Sequence, residues 1–259
     1  MKLGSKSDSV LDNDDAIRLL GQSTKLKGLH VTGQMIASTN SKFNQLITAV
    51  PTTLELLFLG DLGYDSEQYF DPTHDAAPAA VGPPQPLIPF LPRLSILGLL
   101  DIAVDDATWP LIFKNCPGLK TLCLSWTNGL EAAEALSTAA RQYCPALNQL
   151  RLFLMTAGVS PASFDAIWAM FLSSSTCGWE ALEIHATSSV VSVGSLSMTA
   201  LLPRLSHSHP LHVATLKTLE LGEGAEISSR YVRQLYEAAP DLTIIVNYET
   251  LPRPTVLGK

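Results

Sequence analysis

One phrase recurs along the chain and restricts what it can fold into. It reads Leu-x-x-Leu-x-Leu, with apolar substitutes, at Leu26–Leu29–Val31, Leu54–Leu57–Leu59, Leu94–Leu97–Leu99, Leu119–Leu122–Leu124, Leu147–Leu150–Leu152, Trp179–Leu182–Ile184 and Leu216–Leu219–Leu221. A degenerate eighth copy stands at Leu242–Ile245. The starts are separated by 28, 40, 25, 28, 32, 37 and 26 residues. A base period of 25–28 holds a strand, a turn, a helix and a second turn, so each unit must bury its apolar side against its neighbours.

Between the phrases the apolar period changes from strand-like to helical. Residues 40–50 place Phe43, Leu46, Ile47 and Val50 at i, i+3, i+4 and i+7. Helices are likewise predicted over 14–22, 108–116, 129–144, 160–173, 195–205 and 228–239, with the one over 195–205 disturbed by Pro203. Ser160-Pro161 offers a cap residue followed by a proline in the first turn. Proline also marks each return to a strand, in Pro92-Arg-Leu94, Cys116-Pro-Gly-Leu119, Cys144-Pro-Ala-Leu147 and Pro240-Asp-Leu242.

The pattern defines a leucine-rich repeat solenoid of the α/β class: a curved parallel sheet inside, helices outside, about eight repeats in one domain spanning 1–259. Residues 61–92, with six prolines after Ala76, form an inserted loop between the second and third repeats. A smaller polar excursion covers 186–197, and 250–259 is a C-terminal tail. Met1-Lys2-Leu3-Gly4 aligns with the end of a phrase, as in Leu219-Glu-Leu221-Gly222. The chain is therefore expected to begin inside a repeat, as a fragment or an alternative start would.

Leucines at the first, fourth and sixth positions point inward, and the residues between them face the concave side. The fifth-position row is His30, Phe58, Gly98, Cys123, Arg151, Glu183, Glu220 and Val246. The next is Thr32, Gly60, Leu100, Ser125, Phe153, His185, Gly222 and Tyr248. Phe58, Leu100 and Phe153 are expected to form an exposed apolar patch, flanked by Arg151 and by the more acidic Glu183, His185 and Glu220. An aromatic with a neighbouring Arg is typical of an interface hot spot. The candidate protein-binding residues are thus His30, Phe58, Leu100, Ser125, Arg151, Phe153, Glu183, His185 and Glu220. The competing reading makes them ordinary strand residues, or residues under the 61–92 loop.

Other chemistry is weakly supported. Seventeen Lys and Arg scattered among 24 acids, for a net charge of −7, do not make a nucleic-acid surface. No apolar run spans a membrane, and the polar first 15 residues do not read as a secretory signal. Four cysteines do not form a disulfide framework, which fits a cytoplasmic or nuclear location. Cys116 and Cys144 recur at one repeat position, as small buried residues do, and no zinc spacing accompanies them. His207, His209 and His212 read as a polar turn. Gly222-Glu-Gly224 lacks the Lys and Ser/Thr of a phosphate loop. Asp105 with Asp106, and Glu131 with Glu134, sit at helix starts, where they favour the dipole. Pro83-Pro-Gln-Pro86 reads as linker rather than as a ligand for a proline-reading domain. No catalytic set, cofactor site or metal site is expected.

The Cys-Pro-x-Leu-x-x-Leu-x-Leu phrase at 116–124 and 144–152 resembles the ribonuclease-inhibitor-like leucine-rich repeats. It is similar in particular to the irregular repeats of F-box leucine-rich-repeat proteins, including the fungal ones. The resemblance covers roughly residues 1–250. It implies a protein-interaction domain that recognises the substrate of a ubiquitin ligase, with a Skp1-type adaptor held by a separate F-box. No F-box-like segment occurs in this sequence, so the adaptor would be a partner only with an F-box upstream. A scaffold or regulatory repeat protein without a ubiquitin link is the alternative.

Overall fold

The structure, a computed structural model, describes residues 2–3, 13–31, 40–60, 88–100, 102, 104–125, 131–154, 161–174, 178–186, 191–205, 216–222 and 224–252. Residues 61–87 of the expected 61–92 loop, 187–190 of the 186–197 excursion, the histidine cluster at 207–212, Cys177 and 253–259 of the tail lie outside these residues. The last residues of the expected loop belong to the repeat array instead: Ile88 and Leu91 are buried in the core, and Asn115 Nδ2 donates to the Ile88 carbonyl at 2.7 Å.

The strands are β1 (Lys2–Leu3), β2 (Gly28–Val31), β3 (Leu56–Leu59), β4 (Ile96–Leu99), β5 (Thr121–Ser125), β6 (Gln149–Leu154), β7 (Ala181–Ala186), β8 (Val191–Val193), β9 (Thr218–Leu221), β10 (Ala225–Ile227), β11 (Thr243–Val246) and β12 (Glu249–Thr250). The helices are α1 (Asn13–Gln22), α2 (Asn40–Thr48), α3 (Thr108–Asn115), α4 (Glu131–Tyr143), α5 (Pro161–Ser174), α6 (Ser195–Leu205) and α7 (Ser229–Ala238). One sheet runs β1-β2-β3-β4-β5-β6-β7-β9-β11-β12, parallel up to the antiparallel final pair. Strands β8 and β10 form a separate parallel pair ahead of α6 and α7. This is the leucine-rich repeat solenoid that the phrase defines. Strands stack about 4.8 Å apart and packed helices about 8–10 Å, so the array curves with its sheet on the inside.

Register follows the phrase. Leu29, Leu57, Leu97, Leu122, Leu150, Leu182 and Leu219 lie side by side across successive strands. Each is buried in one continuous core with helix residues such as Leu46, Phe113, Leu136, Trp168 and Leu235. Lys2 and Leu3 pair with His30 and Val31, so the first residues do match the end of a phrase.

The prolines do more than stop helices. Leu94, Leu119, Leu147 and Leu242 each donate a backbone N–H to the carbonyl three residues earlier, on Leu91, Cys116, Cys144 and Ala239. Proline fills the second position of each turn, where its fixed φ is already correct. Cys144 lies over the preceding turn, with its Sγ donating to the carbonyls of Phe113 (3.3 Å) and Cys116 (3.1 Å). Burial, with a further contribution from Cys144, pushes the Cys116 thiol up to about 12, so it stays protonated and inert at neutral pH.

Helix α6 spans the expected 195–205, with the exposed Pro203 in its last turn. One further expectation is corrected. The eighth phrase is one residue short: Leu242 is buried as the first position, but Ile244 rather than Ile245 aligns with Leu219. Ile245 therefore occupies the concave row expected for Val246, and Val246 lies beside the inward Leu221. The helix-start reading holds for Asp105, whose Oδ1 accepts the Thr108 N–H at 2.7 Å.

Candidate functional site

The register brings the fifth-position residues into one concave row: His30, Phe58, Gly98, Cys123, Arg151, Glu183, Glu220 and Ile245. Ser125, Phe153 and His185 are neighbours in the next row. The expected residues thus share a face, but they differ in accessibility.

The apolar part is more closed than expected. Leu100 is fully buried and Phe153 is 7% exposed; with Cys123 they form a cluster separate from the main core, against which Phe58 and Ile96 pack. Strand β5 is buried along both faces, Ser125 included. Leu100 and Phe153 are therefore support, not open surface, and Phe58 is the half-buried aromatic of the group. Glycine explains how Phe58 lies down. A Cβ on Gly98 would fall 2.1 Å from Phe58 Cδ1, so the bare strand β4 is where the ring rests. His30 meets the other side of that ring edge-on at 5.9 Å, and its Nε2 donates to the Gly60 carbonyl at 2.9 Å.

The polar part is a linked group. Arg151 Nε donates to Glu183 Oε2 at 2.8 Å, and His185 Nε2 lies against Glu183 Oε1. Glu183 and His185 meet because residues two apart on a strand share a face. Burial raises the Glu183 pKa, but the His185 hydrogen bond and the Arg151 charge outweigh it and hold the carboxyl below its ordinary value. An ionised carboxylate only accepts, so His185 donates through Nε2. The imidazole stacks on Phe153, with centroids 5.0 Å apart and planes 9° apart. Its Nδ1 lies where a Cβ of Gly222 would be, 2.0 Å from that point, so Gly222 seats His185 as Gly98 seats Phe58. Arg151 remains about half exposed, with 47% of its side-chain surface accessible. Burial pushes the neighbouring Cys123 thiol up to about 12, with Arg151 lowering and Glu183 raising it by smaller amounts.

Two features carried little sequence signal. Tyr248 is 63% exposed and meets His185 at 6.4 Å from a hairpin turn, not from the strand row expected for it. Asp165 on α5 accepts from Gly194 N (2.9 Å), Leu196 N (3.0 Å) and Ser197 N (2.9 Å), capping α6 from the preceding repeat. Among the described residues no group of three or more His, Cys, Asp or Glu could hold a metal ion, and no helix is long and apolar enough to cross a membrane.

The sequence matches no protein-family model and no curated protein. Among solved structures it is similar to the leucine-rich repeat-containing protein LegL7 from Legionella pneumophila, at 14% identity and a TM-score of 0.44, over 97% of this chain and 75% of that one. It is also similar to a protein from Bacteroides fragilis, at 15% identity and a TM-score of 0.48, over 98% of this chain and 75% of that one. Likenesses at this level bear on neither the partner nor the chemistry of the concave face.

Proposed function

We propose that this chain is a protein-binding repeat module that takes its partner on the concave face, at Phe58 and the Arg151–Glu183 pair. The observation that carries the reading is their arrangement. A half-buried aromatic held flat by Gly98 stands three strands from a half-exposed guanidinium held by Glu183. Both side chains are fixed before binding, so little further ordering entropy is lost when a partner covers them. Leu100, Ser125, Phe153 and His185 support this surface from below.

The test is partner capture by two variants. Arg151→Glu is expected to reduce capture at least about tenfold, because it removes the cation and sets a second carboxylate beside Glu183. Leu111→Glu, on the exposed side of α3, is expected to leave capture unchanged. Equal loss from both, or none from Arg151→Glu, would move the site off this face.

The narrower role, substrate recognition within an F-box-type ubiquitin ligase, is supported by the resemblance of the repeat phrase. Its test is co-purification of the native gene product with a Skp1-type adaptor. A scaffold or regulatory binder would use the same surface without that adaptor.

A further inference from the structure

The concave face is unevenly charged. In its fifth-position row Arg151 and Glu183 neutralise each other, while Glu220, next to Glu183 across strands β7 and β9, has no ion pair among the described residues. Ile245 lies on its other side. Like charges on adjacent strands repel, and here only one of the two carboxylates has its cation.

A second observation concerns His185. Its ring is 4% exposed, Nε2 is committed to Glu183, and Nδ1 has no hydrogen-bond partner among the described residues. Nδ1 faces the side-chain-free Gly222, two residues from Glu220, so an unused polar atom lies at this end of the face.

The third observation is Tyr248. Strands β11 and β12 are joined by Asn247 and Tyr248, at φ 49° and 67°. Two-residue hairpins of this kind favour Asn first and Gly second. A tyrosine in the glycine position is strained, yet the residue is 63% exposed, with its ring beside His185. The hairpin itself is firmly anchored: Tyr236 Oη donates to the Leu251 carbonyl at 2.9 Å, and Leu251 N donates to the Ile244 carbonyl at 2.8 Å.

We propose that this end of the concave face takes a cationic side chain, a lysine or arginine of the bound protein, between the Glu220 carboxylate and the Tyr248 ring. A partner cation would give Glu220 the counter-charge that Glu183 already has in Arg151, and the exposed ring face adds a cation–π contact. The net charge of −7 also favours approach of a basic segment. This assignment rests on the concave-face reading above.

The test uses the full chain and two fluorescein-labelled twelve-residue peptides of Leu, Ser and Arg, identical except that citrulline replaces every Arg in the second. Fluorescence anisotropy at fixed ionic strength is expected to show binding of the Arg peptide and little of the citrulline peptide. Glu220→Gln is expected to weaken the Arg peptide about tenfold, and Tyr248→Gly about threefold. Glu226→Gln, which removes an equal charge from exposed β10, is expected to change binding by less than about twofold. Because glycine relieves the positive φ, Tyr248→Gly should keep or raise the melting temperature while losing affinity, which a purely structural tyrosine would not do. Equal weakening by Glu220→Gln and Glu226→Gln, equal binding of the two peptides, or binding of neither overturns the proposal. The concave-face reading is decided separately, by Arg151→Glu and Leu111→Glu.

Discussion

Gly60→Ala is expected to lower the melting temperature by roughly 6–12 °C, corresponding to a loss of about 3 kcal/mol. Gly60 follows β3 with φ 109°, a conformation that L side chains rarely adopt. A Cβ there would lie 1.8 Å from the Leu100 carbonyl oxygen and 2.6 Å from its carbon. Both are backbone atoms, so no rotamer change relieves the contact. Gly60 N also donates to the Val31 carbonyl, and Leu100 N to the Leu59 carbonyl, both at 2.8 Å. Moving either strand end therefore breaks hydrogen bonds joining three repeats. The check is thermal melting of the two proteins by circular dichroism. A shift under about 2 °C would mean that the β3–β4 junction is not held as described.

Asp165→Ala is expected to cost about 2–4 kcal/mol. Helix α6 opens at Gly194-Ser195, and Gly194 has no side chain with which to cap it. Asp165 supplies the cap from α5, accepting three backbone N–H groups, while Ser197 Oγ donates to the Asp165 carbonyl at 3.2 Å. Removing the carboxylate leaves those donors without their partner at a helix end where Ser197 is fully buried and Gly194 partly so. A Cβ on Gly194 would come within 2.4 Å of Asp165 Oδ2, so the glycine and the aspartate are mutually required. Burial raises the Asp165 pKa, but hydrogen bonds from Ser197, Leu196 and Gly194 outweigh it and hold it below the ordinary 3.8. A folded pKa below the unfolded one stabilises fully above the unfolded value, and that stability is lost as pH falls through the folded value. Wild type should thus lose this contribution below about pH 4, and Asp165→Asn should show a flatter profile there. Urea unfolding at pH 7 and pH 3 measures both. A cost under about 0.5 kcal/mol for Asp165→Ala would show that the cap is not needed.

The architecture was readable because it repeats. Seven phrases in register specify parallel stacking, and Leu97 beside Leu122 beside Leu150 follows from counting. What could not be counted was missed. Asp165 acts on residues 29–32 positions away through backbone N–H groups, which have no sequence signature. Glycines 98 and 222 were visible in the rows, but their role as seats for Phe58 and His185 depends on where those rings fall. The closing of Leu100 and Phe153 into a cluster has the same origin: alternation assigns a face, and only packing decides whether that face is open. The eighth phrase slipped by one residue because Leu242 and Ile245 are both apolar, and Ile244 is too.

The concave-face claim is tested most directly by photo-crosslinking. A benzoylphenylalanine placed at Phe58 extends from a ring that is already half accessible, and one at Leu111 serves as the convex control. Irradiated with its partner bound, the Phe58 variant is expected to give a covalent adduct and the Leu111 variant none. An adduct from Leu111 alone, or equal adducts from both, would contradict binding on the concave face.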